Sequence, residues 1–287
     1  MRGLFAAVGI IASGKHLPVN ATTRQAESNM AFNRYELTAS ILTLPNGVKL
    51  KRIRAREDII LADGSVIPKG STGGWVESMY NLDQTGNSWI FGNGKAYGRA
   101  RVSGSAIVRD EAAVFDQALI YGRATVELRA LVYGNARVLD TAKVRCDAQV
   151  FGFAIIYGAS VITGFSRVGG YSRIAGNVII SGYALLDGWP RLFGYVSILG
   201  STIIGGYARL WGKVVMLDYA RADGNARISG CVQMKDNSHA TDDAVLYGPI
   251  LLEDDDKVTD CSLVTNCVSE SDSSDLCPPA PTITGCI

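Results

Sequence analysis

The sequence predicts an all-β chain: a single-stranded solenoid β-helix, left-handed and triangular, of about nine coils, with a small N-terminal β cap and a Cys-rich C-terminal tail. Three observations carry that expectation. A six-residue period runs from Ser88 to Pro249 without an insertion or deletion. Of its 27 blocks, 24 hold Val, Ile, Leu or Met in the third position, the exceptions being Ala96, Ala222 and Ala240. The fifth position is Gly or Asp in 25 blocks, and the first is mostly Ala.

Each block joins a strand-like alternation to a residue that tolerates a left-handed corner, which Gly and Asp adopt at least cost. Third-position aliphatics then stack into a core, and first-position Ala and Ser pack where the corners leave little room. Three strands and three corners close one coil. At about 4.8 Å per coil, nine coils span roughly 43 Å.

In chain order, residues 1–33 are Gly, Asn and Thr rich and read as an arm, in which Leu4 to Ile11 is too short to span a bilayer. That run reads as a buried strand or a docking segment rather than a signal peptide. Residues 34–87 carry strand signals at Tyr35–Leu37, Val48–Ile53 and Ile59–Leu61, with turns at Pro45–Gly47 and Asp63–Gly64. This is a β cap over the first coil, since an uncapped solenoid end exposes strand edges and apolar core. Residues 88–249 are the β-helix. Residues 250–287 form an Asp, Ser, Pro and Cys rich tail whose pattern no longer reads as feeding the core; Asp254 to Asp256 reads as a solvated acidic turn rather than a calcium site.

Formal charge is balanced at +1, with 28 basic and 27 acidic residues, so no overall attraction to nucleic acid or to an anionic membrane is implied. Four of the six cysteines, Cys261, Cys267, Cys277 and Cys286, fall in the tail without a CxxC pair. They read as candidates for disulfide pairing rather than as zinc ligands, and the sequence leaves their connectivity open. No metal or cofactor site is expected.

The stretches Tyr35–Leu37, Leu50–Ala55, Lys69–Ser78 with its Gly73-Gly74-Trp75-Val76-Glu77-Ser78 core, Asn81-Leu82 and Gly86–Asn93 resemble the N-terminal block of the YdcK-like hexapeptide-repeat proteins of bacteria and of phages or prophages. The resemblance covers about residues 34–249. It implies a left-handed β-helix, and the acyltransferase label that travels with such proteins rests on fold analogy, which does not transfer function. Acyltransferases of the wider fold resemble one another in placing Gly, Ala, Glu or Asp directly after the core aliphatic; here Gly or Asp follows two residues later, as in Val102-Ser103-Gly104.

Acyl transfer on this fold would need a His base in a cleft and a loop ejected from a coil to hold the acyl carrier. The chain has two His and no ejected loop: His16 lies in the arm and His239 at an outward position, which makes His239 the alternative catalytic residue and leaves no catalytic set otherwise. A depolymerase would use paired carboxylates such as Asp187 and Asp223, two coils apart on one face, though solvated acids are the ordinary reading.

Residues 18 apart stack above one another, so the outward positions form ladders. One reads Arg101, Leu119, Arg137, Ile155, Arg173, Arg191, Arg209, Arg227, Val245; two residues on runs a second that includes Tyr157, Phe193 and Trp211. Stacked like charges repel, so this face needs compensation from rings, acids, a partner subunit or a bound anion. Sixth positions become Phe153, Phe165, Tyr171, Tyr183, Trp189, Tyr195, Tyr207 and Tyr219, too many rings for an indifferent surface. A third ladder, from Trp89 through Val161 and Ile179 to Gln233, is apolar enough to pack on something.

The expectation is therefore a non-enzymatic structural or adhesion protein of virion or tail type. It would be a homo-oligomer, with a trimer favoured, that contacts other assembly proteins or a surface glycan or anionic ligand, without specific nucleic acid, cofactor or membrane span. A virion or extracellular location goes with it, and a cytoplasmic one with the acyltransferase alternative. A carbohydrate-binding module is the third reading.

Overall fold

The computed structural model describes residues 33–265, all of whose regular elements are strands. The arm and residues Cys267, Cys277 and Cys286 lie outside the described residues. From Arg34 onward, a cap leads into a β-solenoid of the left-handed type, built from parallel strands stacked coil upon coil.

The cap is a hairpin of β1 (Tyr35–Thr43) and β2 (Lys49–Ala55), turned at Gly47 (φ 85°), with the short pair β3 (Ile59–Ile60) and β4 (Val66–Ile67) turned at Gly64 (φ 86°). β2 pairs antiparallel with β5 (Thr72–Val76), and β5 pairs parallel with Lys95–Ala96, so β5 already belongs to the first coil. The buried Tyr35 fixes this junction. Its hydroxyl donates to the carbonyls of Leu82 (2.7 Å) and Met79 (3.0 Å), and its ring meets Trp89 edge-on at 6.3 Å. Trp89 is thus part of the cap junction and not a free outward rung.

Three faces follow one another along each coil. The first carries the core residues Ala96, Val114 and Val132 and those stacked above them; the second carries Val102, Ile120 and Val138; the third carries Ile90, Val108 and Val126. First-position Ala and third-position aliphatics are fully buried through most of the stack. Successive coils are joined by backbone bonds such as Arg101 N–H to Ala118 O (2.9 Å) and Ser103 N–H to Ile120 O (3.0 Å).

Coil number and bounds depart from the nine coils of 88–249. The sheet of the first face has 13 strands; removing the two cap strands leaves eleven parallel rungs. At the start, Val76 pairs with Ala96, 20 residues on, whereas Trp89 pairs with Ile107, 18 on. A two-residue insertion between Leu82 and Gly86 therefore hides the first coil from a strict six-residue count. At the end, Leu252, Val258 and Val264 keep the third position, and Lys257–Val258 and Leu263–Thr265 pair onto the coils beneath. The acidic run is a solenoid corner: Asp254 has φ 51°.

Corner chemistry explains the fifth position. Asp110, Asp116 and Asp140 adopt φ between 58° and 61°, and their carboxylates accept the N–H of Leu128 (3.0 Å), Gly134 (3.1 Å) and Gly158 (3.1 Å) in the next coil. An Asp there tolerates the left-handed backbone and caps the coil above. Leu128 and Cys146, the two residues that break the Gly/Asp rule, adopt the same conformation, with φ 61° each.

One corner changes character along the stack. From Arg191 on, the second and third faces are joined by continuous eight-residue strands, Arg191–Ile198, Arg209–Met216, Arg227–Met234 and Val245–Leu252. The glycines at their midpoints, Gly194, Gly212, Gly230 and Gly248, have φ between 90° and 109°, a region closed to other residues. Three strands per coil hold below this level and two above it.

Candidate functional site

The second face carries the arginine ladder in the expected register. Arg137 pairs with Ile155, Ile155 with Arg173, Arg173 with Arg191, Arg191 with Arg209, and Arg209 with Arg227, each Cα against the next. Period-two alternation turns their side chains outward, because Ile174, Leu192, Leu210 and Ile228 beside them are fully buried.

Among the described residues, five of the six charges of this ladder are uncompensated. Arg54, Arg101, Arg109, Arg129 and Arg221 each pair with a carboxylate. Among the described residues no carboxylate pairs with Arg137, Arg173, Arg191, Arg209 or Arg227, and none of these five stacks on a ring. The one ladder member over a ring is Arg101, 5.9 Å from the Tyr80 centroid, and it also faces Asp83 at 3.6 Å.

Aromatic rings form two staircases at the corner between the first and second faces. Tyr97, Phe115, Tyr133 and Phe151 stack at 5.0, 5.0 and 5.4 Å on the first-face side. Phe153, Tyr171, Trp189 and Tyr207 stack at 4.8, 3.9 and 6.2 Å on the second-face side. The first column was legible as rings 18 apart at the fourth position, a signal that reading only sixth positions passes over. Burial, and after it the neighbouring Asp116, pushes the Tyr97 phenol above its ordinary value.

Between the second staircase and the arginine ladder lies an open groove of about 310 Å³, lined by Asn135, Arg137, Phe153, Ile155, Tyr171, Arg173, Trp189 and Arg191. The arginines thus share their groove with rings two residues before them, and not with the rings two residues after. Tyr157 and Phe193 are half-buried and Trp211 is 41 % exposed; they stand on the far side of the ladder. Arg209 and Arg227 continue the ladder beyond the groove. Of the remaining rings, Phe165 and Tyr183 stack at 5.1 Å on another corner, while Tyr195 and Tyr219 are exposed.

His239 sits on the first face, its Cα paired with Arg221 below and Lys257 above, and it does not line the groove. Asp223 is engaged by Arg221, which takes one member of the Asp187/Asp223 pair. Cys261 is an exposed free thiol, whereas Cys146 and Cys231 are disulfide-bonded. Among the described residues no group of His, Cys, Asp or Glu is placed to hold a metal ion, and no helix is long and apolar enough to cross a membrane.

No protein-family model matches the chain, and no curated protein matches it.

Proposed function

We propose that this protein is a non-enzymatic structural or adhesion element, a stiff β-solenoid of virion or tail type whose second face meets a ligand outside the chain. One observation carries the reading: five arginines without an acidic partner among the described residues stand in one ladder, and three of them, Arg137, Arg173 and Arg191, face a column of stacked rings across a groove. Such a surface costs stability unless something external compensates it. The virion setting rests on the resemblance of the Gly73–Ser78 block, and a surface location goes with it. Self-association, with a homotrimer favoured, would cover the exposed rings outside the groove, such as Tyr183, Tyr195 and Tyr219.

A hexapeptide-repeat acyltransferase is the competing reading, since the same fold supports it. His239, the only described histidine, stands away from the groove between two cationic rungs, which favours the adhesion reading. Two measurements on one preparation test it: solution mass by light scattering, and turnover of acyl-CoA with hydroxyl and amine acceptors. A stable oligomer without turnover is expected. Turnover that disappears in His239→Ala would replace the adhesion reading with acyl transfer.

A further inference from the structure

We propose that the groove on the second face binds a linear polyanionic glycan, a carboxylated or sulfated sugar chain lying parallel to the solenoid axis. The proposal deepens the adhesion reading by naming its ligand class.

Charge is the first argument. Arg137, Arg173 and Arg191 converge on the groove, and Arg209 and Arg227 extend the same row by two coils, all without acidic partners among the described residues. The chain as a whole is nearly neutral at +1, so this row is a local feature and not a sample of a basic surface. Guanidinium groups recognise carboxylate and sulfate through paired N–H donors.

Ring orientation is the second. In the second staircase Phe153 and Tyr171 are parallel to within 3°, and Tyr171 and Trp189 to within 2° at 3.9 Å. Their faces cover one another, so the groove wall consists of ring edges. An edge is the positive rim of the aromatic quadrupole, and it adds to the arginine field. Single-stranded nucleic acid binds by laying bases on open ring faces, and neutral sugars by stacking a ring face on them; neither mode has an open face in the middle of this column. A polyanion needs none.

Direction and spacing are the third. Successive rungs lie about 4.8 Å apart along the axis. An extended acidic peptide presents same-side residues about 6.7 Å apart and drops out of register after one or two rungs. A pyranose linked across its 1 and 4 positions is close to one coil in length, so a chain charged at each sugar, or each second one, stays in register along the row from Arg173 to Arg227.

Binding of polygalacturonate, heparin, neutral dextran and poly(dT) to the full chain, followed by Trp fluorescence and calorimetry at low and high salt, tests this. Polygalacturonate or heparin should bind, dextran should not, and affinity should fall steeply with salt. The double variant Arg173→Gln/Arg191→Gln should weaken binding tenfold or more without lowering the ligand-free Tm. Lys49→Gln/Lys51→Gln, which removes the same charge from exposed cap positions, should leave it unchanged. Equal loss in both variants, no binding of either acidic glycan, or tighter binding of poly(dT) would overturn the proposal. Its failure is separable from that of the adhesion reading: loss of glycan binding leaves solution mass and acyl-CoA turnover as they were, whereas turnover would sink the adhesion reading with glycan binding intact.

Discussion

Phe151 and Phe153 flank Gly152 at one turn of the solenoid: Phe151 ends the ring column on the first face and Phe153 begins the column on the second. The column crosses the corner because Gly169 stands where the next ring would be. A Cβ on Gly169 would lie 2.4 Å from two ring carbons of Phe151, so that ring leans into the space of the coil above, with Arg167 over it at 5.5 Å. The crossing brings Phe153, Tyr171 and Trp189 alongside Arg173 and Arg191 and makes the groove.

Gly169→Ala should therefore destabilise the solenoid by about 1–3 kcal/mol, the usual cost of overpacking a filled site. Thermal or urea unfolding measures it. Adding Phe151→Ala should recover part of the loss, because the three atoms nearest the added Cβ all belong to that ring. An unchanged midpoint for the single variant would mean that Phe151 turns away without cost.

The two kinds of corner should respond differently to the same substitution. Gly92 has φ 57°, the range in which Asp and Leu already stand elsewhere in the stack, and nothing closer than 3.9 Å to an added Cβ. Gly212 has φ 91°, and its Cβ would meet backbone O and N of Gly230 at 2.9 and 3.0 Å. Gly92→Asn should cost no more than about 1 kcal/mol, since Asn visits the left-handed region readily. Gly212→Asn should cost about 2–3 kcal/mol or more, because strain and a backbone clash add. Equal losses would say that the long strands relax at that point.

Much of this architecture was readable from the period alone, and the rest was hidden for identifiable reasons. A spacing of 18 places Arg173 against Arg191 and Arg191 against Arg209, because hexad period and backbone ladder are one geometric fact. The first coil was masked by the two residues inserted after Leu82, and the last ones by Ile250 and Asp256, which replace the usual first-position Ala while Leu252 and Val258 keep the core position. Straightening of the corner at Gly194 left no mark, since a fifth-position Gly serves a turn and a bent strand equally. The groove itself was not legible, because sequence gives which residues flank an arginine but not toward which of them the surface is concave; Phe193 and Trp211 share the arginine face without lining the groove.

Tyr35 gives the cap a pH dependence. Burial pushes its phenol well above the ordinary tyrosine range. A group whose folded value is raised contributes stability that is complete below its unfolded value, near pH 10, and is lost as pH climbs toward the folded one. Wild-type stability should hold through neutral pH and fall above about pH 10. Tyr35→Phe forfeits the bonds to Leu82 and Met79 and should cost about 1–3 kcal/mol at neutral pH, with a shallower alkaline decline. Parallel pH profiles for the two proteins would assign the alkaline loss to other groups.

The arginine row should show its own cost. Four arginines, Arg173, Arg191, Arg209 and Arg227, stand in adjacent rungs about 4.8 Å apart, and like charges directly opposite in a sheet destabilise by a few tenths of a kcal/mol per pair. Arg191 has two such neighbours, so Arg191→Gln should raise the melting temperature at low ionic strength, and the gain should shrink as salt screens the row. Lys49→Gln, at an exposed strand end in the cap, should show no comparable salt-dependent gain. A sequence selected for stability alone would break the run with a neutral or acidic rung, as Ile155 and Leu119 do lower in the same ladder. The unbroken stretch therefore trades stability for field strength, and polygalacturonate should reverse the sign of the substitution: with the polymer bound, wild type should melt above Arg191→Gln. If Arg191→Gln lowers the melting temperature without ligand at every salt concentration, the row is stabilising in itself and needs no external anion to account for it.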